Sequence, residues 1–186
     1  MAKARRTLGD YLIDEEPLAA LWPDMLDIVF PDDPNEEYIE RLGPAAQSLW
    51  HVGCFQGEII NGGFSQFFSN SAGNWAQESL AALRQIGAVL SVELLEKAVT
   101  LFPGGLAPVD RQKRCELLFA FEEREPQFLE RLSKEFYKRV DALGSVPEED
   151  LTALQLTFIQ AHRAERVRAE PVATTDQPGR YHFWNL

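Results

Sequence analysis

Residues 57–75 read GEIINGGFSQFFSNSAGNW, a stretch that combines a glycine pair with amide and aromatic side chains. Phe64 and Phe68 lie four residues apart, which is the spacing of residues on the inner face of a helix. The pair Gly62-Gly63 has neither a preceding strand nor the GKS or GKT ending of a phosphate-binding loop. We therefore expect the glycines to form a tight corner between helical segments, because glycine adopts backbone conformations that other residues avoid.

The same stretch carries the amide side chains of Asn61, Gln66 and Asn70, together with the carboxylate of Glu58. Gln66 and Asn70 are four residues apart, so on a helix their amides can bond each other or cap a neighbouring helix end. A buried amide has to be hydrogen-bonded, and a cluster of amides can fix one arrangement of helices. The alternative interpretation is a pocket around these three amides in a small enzyme or ligand-binding protein, although the stretch lacks a base that would activate a nucleophile.

Apolar residues recur at helical spacing along almost the whole chain, which predicts an all-α fold arranged as a single multi-helix orthogonal bundle with an irregular C-terminal tail. We predict one domain over residues 1–186, with an acidic N-terminal segment at 10–40, a helical core at 45–170 and a tail at 171–186. The predicted helices begin near Asp33, near Asn74, at Ser91, after Asp110 and at Ser145, and a further helix spans 126–143. We expect Gly43-Pro44 to bend or split the first of these helices, and Leu90 to face inward on the second.

Charge is distributed unevenly along this chain, whose formal net charge is −11. Residues 10–40, which we call the acidic segment, hold eleven acidic residues and no basic one, whereas residues 41–186 hold 18 acids and 15 bases. A surface of this kind repels phosphates, so we do not expect direct binding to nucleic acid. It favours a basic partner, or serves solubility alone.

Other site chemistry is sparse. His51, Cys54 and Glu58 share one helix face, but their spacing matches no metal signature and aromatic and aliphatic residues surround them, which favours a packed thiol over a metal centre. Neither His162 nor His182 is flanked by a recognisable nucleophile or base. We therefore predict no catalytic residue, no metal and no cofactor. No apolar run reaches the roughly 20 residues of a membrane span and the start is not a secretory signal, so we predict a cytoplasmic protein.

The strings NGGFSQFFSNSAG, ESLAALRQIGA and LLEKAVTLFP resemble the family named for the C-terminal domain of DNA mimic protein nineteen, a bacterial domain of unknown function. The residues that carry the resemblance are Asn61, Gly62, Gly63, Phe64, Gln66 and Asn70. The family's namesake is an acidic, dimeric, helical protein whose carboxylates imitate duplex phosphates and which occupies a helix-turn-helix transcription factor. The resemblance thus implies an acidic interaction protein that sequesters a basic DNA-binding protein, and it implies a homodimer.

The surface that would serve such a partner is expected in the acidic segment. Asp33, Glu36, Glu37 and Glu40 follow helical spacing on one face, where neighbouring carboxylates lie about 5–6 Å apart and repel one another. The full set of predicted partner-binding residues is Asp14, Glu15, Glu16, Asp24, Asp27, Asp33, Glu36, Glu37 and Glu40.

Overall fold

The structure, a computed structural model, describes residues 6–29, 39–140 and 146–168. Within these residues the predicted all-α class is confirmed: there is no strand, and the only β-pairing consists of two isolated bridges, Thr7 with Arg166 and Leu42 with Arg168. None of the described helices is both long enough and apolar enough to cross a membrane. The predicted tail at 171–186 lies outside the described residues. The α-helices are α1 Pro17–Val29, α2 Pro44–Ser69, α3 Ala76–Ile86, α4 Val89–Val99, α5 Arg111–Arg124, α6 Phe128–Arg139 and α7 Leu151–Ala161, and short 3₁₀ helices cover Leu8–Ile13, Ser71–Trp75 and Pro103–Gly105.

The chain divides into two compact units. The terminal unit consists of the described residues within 1–47 and 156–186, and the central unit is Ser48–Gln155. The sequence-based expectation of one domain stays a prediction.

Backbone pairing between distant parts of the chain organises the terminal unit. The N–H of Leu8 donates to the carbonyl of Glu165 at 2.8 Å, and the N–H of Gly43 donates to the carbonyl of Val167 at 2.9 Å. Leu8, Val167 and Leu42 are all buried beside these bonds. The segment 163–168 therefore acts as a short extended tie that joins two N-terminal stretches, since each bond satisfies a backbone group that burial would otherwise leave unpaired.

Helix α1 was not predicted from the sequence. Leu21 and Met25 are buried at a spacing of four, and Leu18 lies three residues earlier on the same side. This spacing is visible in the sequence, but it is short, and the helix contains Pro23, which is unfavourable in a helix interior.

The expected bend or split at Gly43-Pro44 agrees with the start of α2 at Pro44, which fits the preference of proline for the first helical turn, while the expected start near Asp33 lies outside the described residues. The predicted end of α3 is wrong. Leu90, expected on the inner face of α3, belongs instead to α4, because Gly87 ends α3 in the left-handed conformation at φ 80°.

The start of α4 also differs from the prediction that Ser91 opens it. The helix begins at Val89, and the buried carboxylate of Glu149 accepts the backbone N–H groups of Leu90 at 2.7 Å and Ser91 at 2.9 Å. A carboxylate at a helix N-terminus satisfies N–H groups that have no intrahelical partner.

The predicted start of α5 after Asp110 is confirmed, since the side chain of Asp110 accepts the N–H of Lys113 at 2.9 Å.

The expected corner at the glycine pair is present as a break inside α2. Gly63 has φ 74° and ψ −171°, a region that is open essentially to glycine alone. The break leaves two backbone groups without their helical partners, and α6 supplies both. Tyr137 donates its hydroxyl to the carbonyl of Ile59 at 2.7 Å, and Ser133 accepts the N–H of Phe64 at 3.1 Å through its hydroxyl oxygen.

The residues around the break form the aromatic core of the central unit. Phe55 contacts the rings of Phe64, Phe67 and Phe136 edge-on, at centroid distances of 6.0, 5.4 and 5.8 Å. All four side chains are fully buried. Edge-to-face pairs of this kind each add about 0.5–1.5 kcal/mol beyond the area that they bury, so the two halves of α2 and α6 are held in one packing arrangement.

We predict that Gly63→Ala lowers the free energy of unfolding by about 3 kcal/mol, because a Cβ at φ 74° is strained and would also collide with the Ser133 side chain. Gly57→Ala is the matched control: Gly57 lies in the same helix, has open space around it, and alanine is the better helix former. Urea unfolding of both variants measures the difference. Equal midpoints for the two variants would contradict the assigned role of Gly63.

Candidate functional site

The amide side chains of the motif converge on one carboxylate. Gln66 donates its side-chain N–H to Glu58 Oε2 at 2.8 Å, and Asn70 donates to the same oxygen at 2.9 Å. All three side chains are half-buried. Instead of bonding each other, Gln66 and Asn70 share an acceptor that lies eight and twelve residues before them in the sequence, and the charge on that acceptor strengthens both hydrogen bonds.

A buried arginine completes this part of the central unit. Arg114 on α5 is 0% exposed, and its guanidinium uses all five of its N–H donors. Nε donates to the carbonyl of Phe68 at 2.7 Å, and Nη2 donates to the carbonyl of Asn70 and to the side chain of Asn74, both at 2.8 Å. Nη1 donates to the carbonyls of Pro108 and Val109 at 2.6 and 3.1 Å.

None of these acceptors is a carboxylate. Burial lowers the pKa of Arg114, yet a guanidinium remains protonated in proteins, so a full positive charge is solvated by oriented carbonyl and amide dipoles. The five bonds tie the start of α5 to the end of α2, to the following 3₁₀ helix and to the loop before α5. Gly73 allows the approach, because a Cβ there would lie 2.7 Å from Nε of Arg114.

The three motif amides do not gather around one pocket. The side chain of Asn61 is exposed and forms no side-chain hydrogen bond with any described residue, so it does not share the acceptor of the other two amides. Gln66 and Asn70 instead point to Glu58. This arrangement favours the architectural interpretation of the motif over the ligand pocket.

The face that carries His51, Cys54 and Glu58 is packed rather than open. Burial lowers the pKa of His51 to about 4, so the ring is neutral at pH 7, and it lies 6.3 Å from the ring of Trp75. Burial and the nearby Glu58 raise the pKa of the Cys54 thiol to about 12, so Cys54 is protonated and unreactive as a nucleophile. Among the residues that the structure describes, no group of three or more His, Cys, Asp or Glu side chains is placed to hold a metal ion.

The predicted partner-binding acids differ in where the structure places them. Asp14, Glu15, Glu16 and Glu40 are exposed, and none of them forms an ion pair in the described parts of the chain. The backbone of Asp27 lies in α1, while Asp33, Glu36 and Glu37 lie outside the described residues.

Asp24 differs from these acids because it serves the fold. The hydroxyl of Tyr11 donates to Asp24, and Arg6 approaches the same carboxylate at 3.9 Å. Burial, together with the Asp24 carboxylate, raises the pKa of Tyr11 above its ordinary value. Asp24 is 19% exposed, so it contributes less to an outer surface than its neighbours in sequence.

Sequence reasoning missed Glu58 as the acceptor of the motif amides. It also missed Arg114 as the donor to the carbonyls at the end of the motif. Glu58 could have been found, because it is the one carboxylate in residues 57–75 and all amide clusters need acceptors. Arg114 gave no signal: it stands in the run Arg111–Arg114, RQKR, which reads as a solvated helix start.

We predict that Arg114→Lys lowers the free energy of unfolding by about 3–5 kcal/mol, because an ammonium cannot serve five acceptors in a planar arrangement and several buried carbonyls lose their donor. The control is Arg111→Lys, whose exposed side chain donates a single bond to the carbonyl of Ser69 at 2.7 Å and should cost about 1 kcal/mol or less. Chemical unfolding of both variants is the measurement, and equal losses would refute a special role for Arg114.

The neutral His51 predicts a defined pH dependence of stability. The unfolded chain takes up the imidazole proton near pH 6.5 and the folded chain only near pH 4. The unfolded state thus binds more protons between these values, so His51 lowers stability as the pH falls from about 6.5 to about 4, by up to about 3 kcal/mol, and has no such effect above pH 6.5. The difference in unfolding free energy between the wild type and His51→Gln should vary with pH in this window only. A difference that is constant with pH would contradict the burial of a neutral ring.

Comparison with known proteins gives one match. A family model described as DMP19-like protein matches residues 40–162, which is about two thirds of the chain. The chain therefore belongs to the DMP19-like family. No curated protein and no solved structure matches it.

Proposed function

We propose that this member of the DMP19-like family is an acidic protein-interaction module that occupies the DNA-binding surface of a basic protein, such as a helix-turn-helix transcription factor, in place of DNA. The observation that carries the proposal is the charge of the acidic segment, which holds eleven acids and no base in a chain of net charge −11. The exposed, unpaired state of Asp14, Glu15 and Glu16 supports it, since none of them stabilises the described fold by ion pairing.

Physical chemistry explains how carboxylates can replace phosphates. A DNA-binding protein holds phosphate with lysine and arginine, and arginine binds a carboxylate with the same paired N–H groups that it uses for phosphate. Acids on a folded scaffold lose little conformational freedom on binding, so they compete well with a duplex. A partner of this kind places the proposed activity in the bacterial cytoplasm, and the homodimer that the family resemblance implies would present two such surfaces.

The acidic segment lies almost entirely before the part of the chain that the family model matches. That match begins at residue 40, so Glu40 alone of the eleven acids falls within it. Family membership thus supports the scaffold and the general class of function, whereas the proposed use of residues 10–40 rests on their charge.

A competition experiment tests the proposal. A panel of purified bacterial helix-turn-helix proteins, each bound to a fluorescent operator duplex, is titrated with the full chain at several salt concentrations. We expect release of DNA from at least one member of the panel, with an affinity that weakens steeply as salt increases. The chain itself should not shift free duplex or single-stranded DNA at micromolar concentration. Direct binding to DNA, or a failure to displace DNA from every basic protein tested, would oppose the proposal.

The acidic segment is tested by the triple variant Glu36→Gln, Glu37→Gln, Glu40→Gln. Each change keeps the size of the side chain and removes one charge, so the fold should survive while affinity for the displaced protein falls at least about tenfold, mainly through slower association. The matched control changes Glu93, Glu96 and Glu130 to Gln, three exposed acids whose charges are already paired with Lys97, Arg84 and Lys134. Equal affinities of the two triple variants would place the binding surface elsewhere.

A further inference from the structure

The charged residues of helix α5 are mostly arranged opposite to the order that its helix dipole favours. Its first turn contains Arg111, Lys113 and Arg114 and no acid. Its last turn contains Glu122 and Glu123 beside the base Arg124, and Glu125 follows directly. A helix dipole favours acids at the N-terminus and bases at the C-terminus. The negative end of the dipole and three carboxylates therefore coincide at one end of α5, where they outnumber the single guanidinium of Arg124 and make the local potential negative.

The neighbouring helix α6 shows the opposite, ordinary arrangement. Glu130 lies in its first turn and Lys138 and Arg139 in its last. Its acids are paired along the helix, Glu130 with Lys134 at 2.6 Å and Glu135 with Arg139 at 3.9 Å. The acids at the end of α5 form no ion pair in the part of the chain that the structure describes. The two helices thus differ in whether their surface charge is neutralised internally.

Three of the basic residues of α5 bind groups of the fold rather than these acids. Arg114 is buried, and Arg111 donates to the carbonyl of Ser69 at 2.7 Å. Arg124 donates to the carbonyl of Ala120 at 3.1 Å and lies over the ring of Phe121, 5.9 Å from its centroid. Arg124 forms no ion pair with these carboxylates among the described residues, and three carboxylates against one guanidinium leave this end of α5 with a net negative charge.

An apolar side chain stands in the middle of this surface. Phe119 is 54% exposed, although a phenylalanine is ordinarily placed in a core. Glu116 lies three residues before it and Glu123 four residues after it, so all three share one exposed helix face. An exposed aromatic ring beside charged groups is the composition of a binding hot spot, in which the ring is buried and the charges orient the partner.

We infer that the exposed face of α5, defined by Glu116, Phe119 and Glu123, is a docking surface for a cationic protein segment that carries an apolar side chain between arginines or lysines. Glu122, which is half-buried, and Glu125, which directly follows the helix, add to its charge. The inference rests on the proposed function and assigns it a surface inside the family-matched range of residues 40–162. The partner's apolar side chain covers Phe119, while its cationic groups pair with the flanking carboxylates.

Charge complementarity selects this occupant over the alternatives. A second copy docking through the same face would set the carboxylates around one Phe119 against those around the other, which is repulsive. Nucleic acid would bring phosphates to the negative end of the helix dipole. A cationic amphipathic segment satisfies both the ring and the carboxylates. The surface is also held rigidly, because the five hydrogen bonds of Arg114 fix the start of the same helix.

The test uses the isotopically labelled full chain and two synthetic helical peptides of equal positive charge. One peptide carries leucines between its arginines, and the other carries serines at the same positions. Backbone amide chemical shifts locate the binding site and yield the affinities. The variants are Phe119→Ala and the triple change of Glu122, Glu123 and Glu125 to Gln. The controls are Val89→Ala, an exposed apolar residue on α4, and the Glu93, Glu96 and Glu130 to Gln triple variant.

We expect the largest shifts from the leucine peptide in residues 112–125. Phe119→Ala should weaken the leucine peptide at least about fivefold and leave the serine peptide unchanged, and the α5 triple variant should weaken both at least about tenfold. The controls should stay near wild type. Shifts confined to the acidic segment, with a loss of affinity only in the Glu36, Glu37 and Glu40 variant, would overturn the α5 surface while the proposed function stands. Equal losses in the α5 and control triple variants would also overturn it, and binding of neither peptide would overturn both proposals.

Discussion

The central unit depends on an interruption of helix α2, and side chains of another helix bind the backbone groups that this interruption leaves unpaired. The conformation of Gly63 interrupts α2, and two side chains of α6, Ser133 and Tyr137, take over the backbone partners that the interruption removes. Without those two hydroxyls the break would leave a buried N–H and a half-buried carbonyl unpaired, at about 1–3 kcal/mol each. Without the break, the residues after it would continue along the first helical axis, and Gln66 and Asn70 would not reach back to Glu58.

The second half of α2 in turn creates the environment of Arg114. The carbonyl of Phe68 lies in the last turn of α2 and that of Asn70 directly after it, and the guanidinium donates to both. The carbonyl of Asn70 also accepts the N–H of Gly73 at 3.2 Å. A buried charge without a counter-ion is unfavourable unless oriented dipoles replace the water that it loses. Five well-placed acceptors meet that requirement only in one arrangement of α2, α5 and the loop between them. The buried charge therefore selects a single packing rather than adding much net stability.

Sequence reasoning found what local patterns encode and missed what depends on distant contacts. The helical class, the corner at Gly62-Gly63 and the cap at Asp110 follow from spacing and from the conformational preferences of single residues. The convergence on Glu58 was within reach, since it requires only that amides find an acceptor. Arg114 was out of reach, because a residue in a charged run looks solvated until the carbonyls that surround it are placed by the break in α2. Helix α1 was missed for another reason, since its apolar stripe is short and Pro23 lies inside the helix.

The fold separates the residues that build the scaffold from those that carry its surface charge. Within the motif from Asn61 to Asn70, the side-chain amides of Gln66 and Asn70 bind an internal partner, and of the three amides only Asn61 is exposed. The motif therefore has few polar groups left to recognise a ligand. The uncompensated acids lie elsewhere, in the acidic segment and at the end of α5. The end of α5 is pre-organised, because its helix is anchored at the other end by Arg114 and a fixed set of carboxylates loses little entropy when a partner binds. The interior hydrogen bonds of Arg114 thus hold α5 in place, and the carboxylates at the end of this helix have a fixed position as a result.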